Sequence, residues 1–401
     1  MNPHVLEWLD LVIRWLHVIT GVAWIGASFY FVWLENMLER DKADLPPNIE
    51  GDLWAVHGGG FYYLTKYKVA PEKMPKTLHW FKWEAYFTWI FGFSLLTIVY
   101  YFKADSFMID KSVADISPMT SVALGVGSIV IGWVVYDVLC RTPLLKRPSL
   151  FLALMYLFMV GAAFGLSEFL SPRAAYIHVG AMLGTMMAGN VFFVIIPGQK
   201  KMVSAAEEGR EPNAADGRYA SLRSRHNNYF TLPVLFIMVS NHFPTTYGNE
   251  YGWAILAGLS AVGIAIRHHF NVRHKTNNYA WTMAAGALAI LALAFVTSPD
   301  FGKSDKRAAL EAMPPVPFAA VDKIVTERCT VCHSDAPSDA VWKTAPLGIK
   351  FDTPDELKKH AERIKIRTYD LETMPLVNQT HMTPEERKTL GAWVLQGAKI
   401  D

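Results

Sequence analysis

Five consecutive residues carry the most specific chemistry in the sequence. Cys329-Thr330-Val331-Cys332-His333 is a C-x-x-C-H motif. In such a motif two thiols bond to the vinyl groups of a haem and the adjacent histidine supplies an axial ligand. A redox C-x-x-C or half a zinc site uses the same residues, but zinc wants a second ligand pair, for which His360 and His381 are poorly spaced. The second axial ligand should be a sulfur or an imidazole downstream. Met374 is the first choice, because Pro375 stiffens the chain beside its sulfur; Met382 and His381 stand behind it. The expectation is one covalent haem c on Cys329 and Cys332, its iron held by His333 and Met374. His/Met ligation raises the potential, so such a group accepts electrons readily and singly.

Two further sets lie in apolar surroundings, where ionisable groups are expensive and by default functional. In the first, His17 sits mid-run with Gly21 and Gly26 beyond it, small enough for close approach of a helix or a flat ring. His178 could face it and complete a b-type haem site, with Arg14 at a propionate. Two separate, hydrogen-bonded histidines account for the same residues. The second set gathers His57 before Gly58-Gly59-Gly60, His79-Trp80-Phe81-Lys82-Trp83-Glu84, and His226-Asn227-Asn228. The glycines let backbone approach a ligand, the asparagine amides both donate and accept, and the tryptophans offer stacking faces. This set is expected to bind a substrate through His57, Gly59, Trp83, Asn227 and Asn228.

The elements that position these residues follow from composition. The chain has 401 residues, 52% apolar and 13% aromatic, with only 18% charged, against about 25% in a typical soluble domain. Its mean hydropathy is +0.18. Disorder is excluded and a wholly soluble protein is disfavoured. A net charge of +2 gives a nucleic-acid binder no support, and three cysteines cannot make a disulfide scaffold. About 20 apolar residues in a helix cross the ~30 Å of bilayer hydrocarbon. Eight runs approach this: 9–33, 79–102, 119–139, 150–170, 174–196, 229–243, 251–270 and 279–297. The sixth is short and contains Pro233. The first is too long for a signal peptide, carries Arg14 and His17, and has no small-residue cleavage site after it.

Lys and Arg crowd every second connection, 34–78, 140–149, 197–228 and 267–278, whereas the alternate ones carry only Lys103, Lys111 and Arg173. By the positive-inside rule the crowded set is cytoplasmic and both termini are periplasmic. Haem c is attached outside the cytoplasmic membrane in bacteria, so two independent signals place the tail in the periplasm of an inner-membrane protein. The fold expected is all-α: a polytopic membrane helix bundle of about eight spans over 1–297, a charged, Pro-rich linker over 298–317, and a small class I cytochrome c domain over 318–401. Thr383-Pro384-Glu385-Glu386 reads as the start of a closing helix, with Leu390, Trp393, Val394 and Leu395 on its apolar face. Cys140 is expected to be a packed free thiol.

Taken together, Arg14-Trp-Leu-His-Val-Ile-Thr-Gly-Val-Ala-Trp-Ile-Gly26, Trp54-Ala-Val-His-Gly-Gly-Gly-Phe-Tyr62, His79–Tyr86, Gly189–Gly198, Ser224–Tyr229 and the C-x-x-C-H motif resemble the bacterial membrane-bound urate hydroxylase family, a urate oxidase N-terminal domain fused to cytochrome c. The resemblance spans essentially the whole chain. It implies oxidation of urate to 5-hydroxyisourate with water as oxygen source and cytochrome c as acceptor. The first span also looks like that of membrane haem-binding protoporphyrinogen oxidases, which supports His17 as a haem b ligand by analogy. On this basis Glu84, His79 or His226 would remove a proton from urate. Electrons would pass through a membrane haem to the haem c, then to cytochrome c oxidase or a soluble cytochrome c. The competing classes are a quinol-to-cytochrome c conduit and a urate transporter or sensor with a cytochrome appended.

Overall fold

The structure, a computed structural model, describes residues 3–298 and 304–400 and is 66% helical. Its first helix, α1 (Pro3–Met37), leaves Trp8, Trp15 and Val22 more than half exposed. Such a surface suits a hydrocarbon neighbour rather than water. A two-stranded antiparallel hairpin follows, β1 (Ile49–His57) and β2 (Gly60–Tyr67), which the all-α expectation did not contain. His57 pairs with Gly60, and Gly58 and Gly59 fill the turn with φ of 58° and 79°. Two-residue hairpin turns need that left-handed backbone, which glycine adopts at least cost.

The bundle continues with α2 (Trp83–Leu96), which runs on as π-helix through Tyr101, then α3 (Ala104–Phe107), α4 (Pro118–Leu139) and α5 (Pro148–Ser167). Next come α6 (Pro172–Gly189), a π segment Asn190–Ile195, α7 (Ile196–Glu207) and α8 (Ala214–Ser240). The set closes with α9 (Pro244–Tyr247), α10 (Gly252–Val272) and α11 (Trp281–Val296). The long helices start where the sequence says they should. Pro opens α4, α5 and α6, and the Ser117 and Ser171 hydroxyls accept from the amides of Thr120 and Ala174. The π segment before α7 lies just ahead of Pro197, which has no N–H to offer the ladder.

Among the described residues, five helical stretches are long and apolar enough to cross a membrane: His4–Met37, Pro118–Leu139, Pro148–Ser167, Pro172–Glu207 and Gly252–Val272. They coincide with five of the eight expected runs. The other three are helical but fall short. Of these, α11 has 16 residues, α2 reaches Tyr101 only through its π segment, and the first half of α8 is polar. The centre of the bundle is α6, buried along most of its length. Its small residues let neighbours close in. A Cβ at Gly180 would lie 2.6 Å from Ile237 Cγ2 on α8, and one at Gly189 would lie 2.5 Å from Trp133 Cζ3 on α4.

Beyond residue 303 the chain forms α12 (Ser304–Glu311), α13 (Phe318–Arg328), α14 (Pro354–Lys359), α15 (Ala361–Lys365) and α16 (Pro384–Leu395). These enclose a second apolar core of Val321, Leu357, Met382, Leu390 and Trp393 among others. Thr383 caps α16 in a capping box with Glu386, and the face of Leu390, Trp393 and Val394 is buried. Part of the expected linker, 299–303, lies outside the described residues. The rest is not an open tether, since α12 lays Leu310, 1% exposed, over Gly391 of α16. The tail seats on one end of the bundle. The Trp342 ring lies 6.2 Å from that of Phe107, and Leu371 and Thr373 reach Gly248. That end carries the connections poor in Lys and Arg.

Candidate functional site

In the tail, α13 ends at Cys329 and the backbone turns tightly: the amides of Cys332 and His333 donate to the Cys329 carbonyl at 3.1 and 2.8 Å. The His333 Nδ1–H donates to the Ile349 carbonyl at 2.9 Å, which leaves Nε2 as the ligating nitrogen. Burial pushes the Cys329 thiol up to about 12 and that of Cys332 up to about 11, so both stand as neutral thiols. Among the described residues no three His, Cys, Asp or Glu side chains converge as metal ligands, which counts against zinc. The remaining donors fit a haem. Met374 is half-buried and lies outside the apolar core, whereas Met382, 2% exposed, is part of it, and His381 is exposed. The Met374 amide donates to the Arg367 carbonyl at 2.9 Å, and Arg387 Nη1 donates to the Met374 carbonyl at 2.7 Å. The Arg367 Nε is buried without a hydrogen-bond partner, and the charges of Arg363 and Arg367 reach His333. Two guanidinium groups one helical turn apart suit carboxylates such as haem propionates; sequence reasoning had not singled them out.

In the half of the bundle on which the tail seats, His178 is fully buried. Its Nδ1 bonds the Ala174 carbonyl at 2.8 Å, and its Nε2 lies 3.2 Å from the Tyr101 hydroxyl. A Cβ at Gly125 would lie 2.7 Å from its Cδ2. His17 bonds the Thr88 carbonyl through Nδ1 at 2.9 Å and packs on Gly92. No hydrogen bond or ring contact joins the two histidines. Along α2 and its π extension, Gly92 and Tyr101 are nine residues apart, about 13 Å at 1.5 Å per residue. Arg14 pairs with Asp10 at 2.7 Å. A haem held between these histidines needs both to present a free nitrogen to one point, and His178 has neither free; the contacts do not fit that group. What the region does form is a file of rings towards the tail: His178 to Tyr100 at 6.3 Å, Tyr100 to Phe107 at 5.9 Å, and Phe107 to Trp342. Arg173 lies over both Tyr100 and Phe107.

The inner polar residues divide. His57 and Gly59 are exposed at the hairpin tip, and His79 and Trp83 are exposed before and at the start of α2. The glycines answer to the turn, which is reason enough for their presence. Glu84 lies in the first turn of α2, with Oε2 buried and unpartnered. By contrast, His226, Asn227 and Asn228 are consecutive on α8 and so point three ways. His226 Nδ1 meets the Tyr136 hydroxyl at 2.9 Å, with its ring stacked on Phe151. Asn227 accepts from Asn190 Nδ2 at 2.7 Å and donates to the Met187 carbonyl at 3.0 Å. Asn190, brought in by the π segment, also donates to the Tyr136 hydroxyl at 2.8 Å and accepts from Arg223 Nη1 at 2.9 Å. Arg223, fully buried, is paired to Asp137 at 2.6 Å. Cys140 is a buried free thiol 4.0 Å from His226. A cleft of about 520 Å³ opens beside this network, lined in part by Cys140, Arg141, Lys146, Lys201 and Tyr219. No hydrogen bond or ring contact joins His57, His79 or Trp83 to it.

The urate oxidase N-terminal family matches residues 3–298. The chain belongs to that family. Membership makes its function urate-related and its chemistry of oxidoreductase type. The match ends where the bundle ends, so the C-x-x-C-H tail lies outside it. Compared with curated proteins and with solved structures, the chain has no match.

Proposed function

We propose that this chain is a membrane-embedded urate oxidoreductase that converts urate and water to 5-hydroxyisourate, two protons and two electrons, and delivers the electrons through its own tail to a respiratory acceptor. The observation that carries this reading is the union, in one chain, of a urate-family bundle with a C-x-x-C-H turn whose tail packs on the bundle through Trp342 and Phe107. Cys329 and Cys332 would hold a haem c, with His333 and Met374 as its iron ligands and Arg363 and Arg367 at its carboxylates, and it would supply a one-electron acceptor. The bundle supplies urate binding and proton removal from its inner polar groups, with Glu84 and His226 the acceptors best sheltered from water. No step is assigned to a haem between His17 and His178. On this reading the end poor in Lys and Arg, where the tail seats, is periplasmic and the urate site is cytoplasmic. The three runs that fall short of spanning on their own complete an eight-span bundle.

The test is an anaerobic absorption spectrum of the full chain in detergent, with and without urate, alongside a pyridine haemochrome count. Urate is expected to produce the reduced c-type bands. Reduction by quinol and not by urate would make the protein a quinol-to-cytochrome c conduit. Urate binding with no spectral change would make it a transporter or sensor.

A further inference from the structure

Among the described residues Arg267 has no carboxylate partner, although it is only 8% exposed. Its Nε donates to Asn228 Oδ1 at 2.6 Å, and its guanidinium lies 3.9 Å from the Phe29 ring centroid. No hydrogen bond from its two terminal amino groups is made within the described structure. Asn228 is wholly buried, and its Nδ2 has no partner either. These residues come from three helices: Phe29 from α1, Asn228 from α8 and Arg267 from α10. All lie towards the inner end of the bundle. The guanidinium is mostly covered and has no counter-charge, with only its terminal amino groups left some access, and the wholly buried Asn228 amide donor without an acceptor adds to the cost. Arg223 in the neighbouring network shows what the same fold does with a structural arginine: it pairs it with Asp137.

We infer that Arg267 and Asn228 are the anchor for the urate anion. This rests on the function proposed above. The fork of a guanidinium matches two in-plane acceptors of a flat oxoanion, and urate at neutral pH is such an anion. With Asn228 Oδ1 fixing Nε and Phe29 covering a face, the terminal amino groups stay in one plane. The Asn228 Nδ2 then donates to a further carbonyl oxygen of the same ring. The site thus selects planar, anionic, carbonyl-rich heterocycles and discriminates against neutral purines.

The experiment measures binding of radiolabelled urate to the full chain in detergent by equilibrium dialysis, with covalent and total haem counted on the same samples. Arg267→Gln is expected to weaken urate about a hundredfold, with haem content unchanged. Arg267→Lys, which keeps the charge and loses the fork, should fall between. Asn228→Asp supplies the missing carboxylate to Arg267. It should fold at least as well as the parent yet bind urate as poorly as Arg267→Gln, a pairing of effects that a merely structural role does not produce. Unaltered urate affinity in either Arg267→Gln or Asn228→Asp overturns the inference. So does loss of haem from Arg267→Gln, which would make Arg267 a partner of a haem carboxylate. If the parent chain itself binds no urate, the proposed function fails first.

Discussion

The tail and the inner bundle gather their polar groups in opposite ways. The tail carries both thiols and the proximal imidazole on five consecutive residues, so one turn of backbone after α13 aligns them. The inner bundle draws Tyr136, Asn190, His226 and Arg223 from α4, the π segment before α7, and α8, and no stretch of sequence holds more than two of them. The tail therefore owes its chemistry to covalent neighbours and the bundle owes its own to packing. Substitutions in the C-x-x-C-H turn should accordingly remove function without unfolding the tail, and substitutions in this paired network should unfold the bundle before they reveal its function.

The sharpest break of that contrast is Cys332→Ser. It should abolish one of the two thioether links, so that haem retained on a denaturing gel falls to what Cys329 alone can hold, while urate binding in the bundle persists. Urate-dependent reduction of an external acceptor should fall at least a hundredfold. Full acceptor reduction by this variant would remove the tail from the electron path.

The same contrast explains what could be read in advance. The Thr383 cap depends on residues within a few positions of one another and stands as expected; the C-x-x-C-H motif is equally local, and its backbone forms a tight turn. Five of the eight apolar runs were equally plain, but length alone does not decide them, since 79–102 is longer than 251–270 yet is divided between α2 and its π segment. The hairpin was misread. In a sequence, glycines that make a turn look the same as glycines that admit a ligand, and only the apolar alternation on either side of Gly58-Gly59, from Trp54 and Val56 to Phe61 and Tyr63, tells them apart. Arg223 and Arg267 were counted as connection charges. Arg223 lies in the part of α8 that precedes its apolar run and Arg267 in the last turn of the run 251–270, so their burial depends on neighbours far along the chain.

Arg223→Gln tests the bundle side. Arg223 is wholly buried and binds Asp137, Asn190 and the Tyr219 hydroxyl, so its removal leaves Asp137 to the exposed Arg141 alone and takes a donor from Asn190. The expected cost is about 2–3 kcal/mol, read as thermal inactivation of the solubilised chain. Adding Asp137→Asn should restore part of it. The paired arginine should register in stability and the unpaired Arg267 in urate affinity. Were both to register only in stability, the distinction between them would collapse.

Within the tail the two methionines separate in the same manner. Met382→Ala empties a core position that is 2% exposed and should cost about 2–4 kcal/mol of unfolding stability. Met374→Ala should leave stability and urate binding nearly unchanged, alter the haem spectrum and lower its midpoint potential, since the thioether ligand raises it. A redox titration beside a denaturant series distinguishes the two. An exchange of effects would make Met382 the ligand.

The smallest effect is expected at Glu386, where packing and local chemistry meet. Arg328 grips its carboxylate through Nε and Nη2, both Nε contacts at 3.1–3.2 Å and Nη2 at 2.9 Å, and the Thr383 amide donates to it at 2.7 Å. Burial raises the carboxyl, but the Arg328 and Thr383 donors outweigh burial and hold it below the usual carboxylate range. A carboxylate held down in the folded state adds stability above its unfolded value, and that stability disappears as pH falls through the folded one. Glu386→Gln should therefore loosen α16 by about 1 kcal/mol at pH 7, read as faster hydrogen exchange of its backbone amides. The gap between variant and parent should narrow as the buffer is taken below the ordinary carboxylate range. A gap that stays constant with pH would assign the effect to the lost cap geometry alone and leave the Arg328 charge without a share in it.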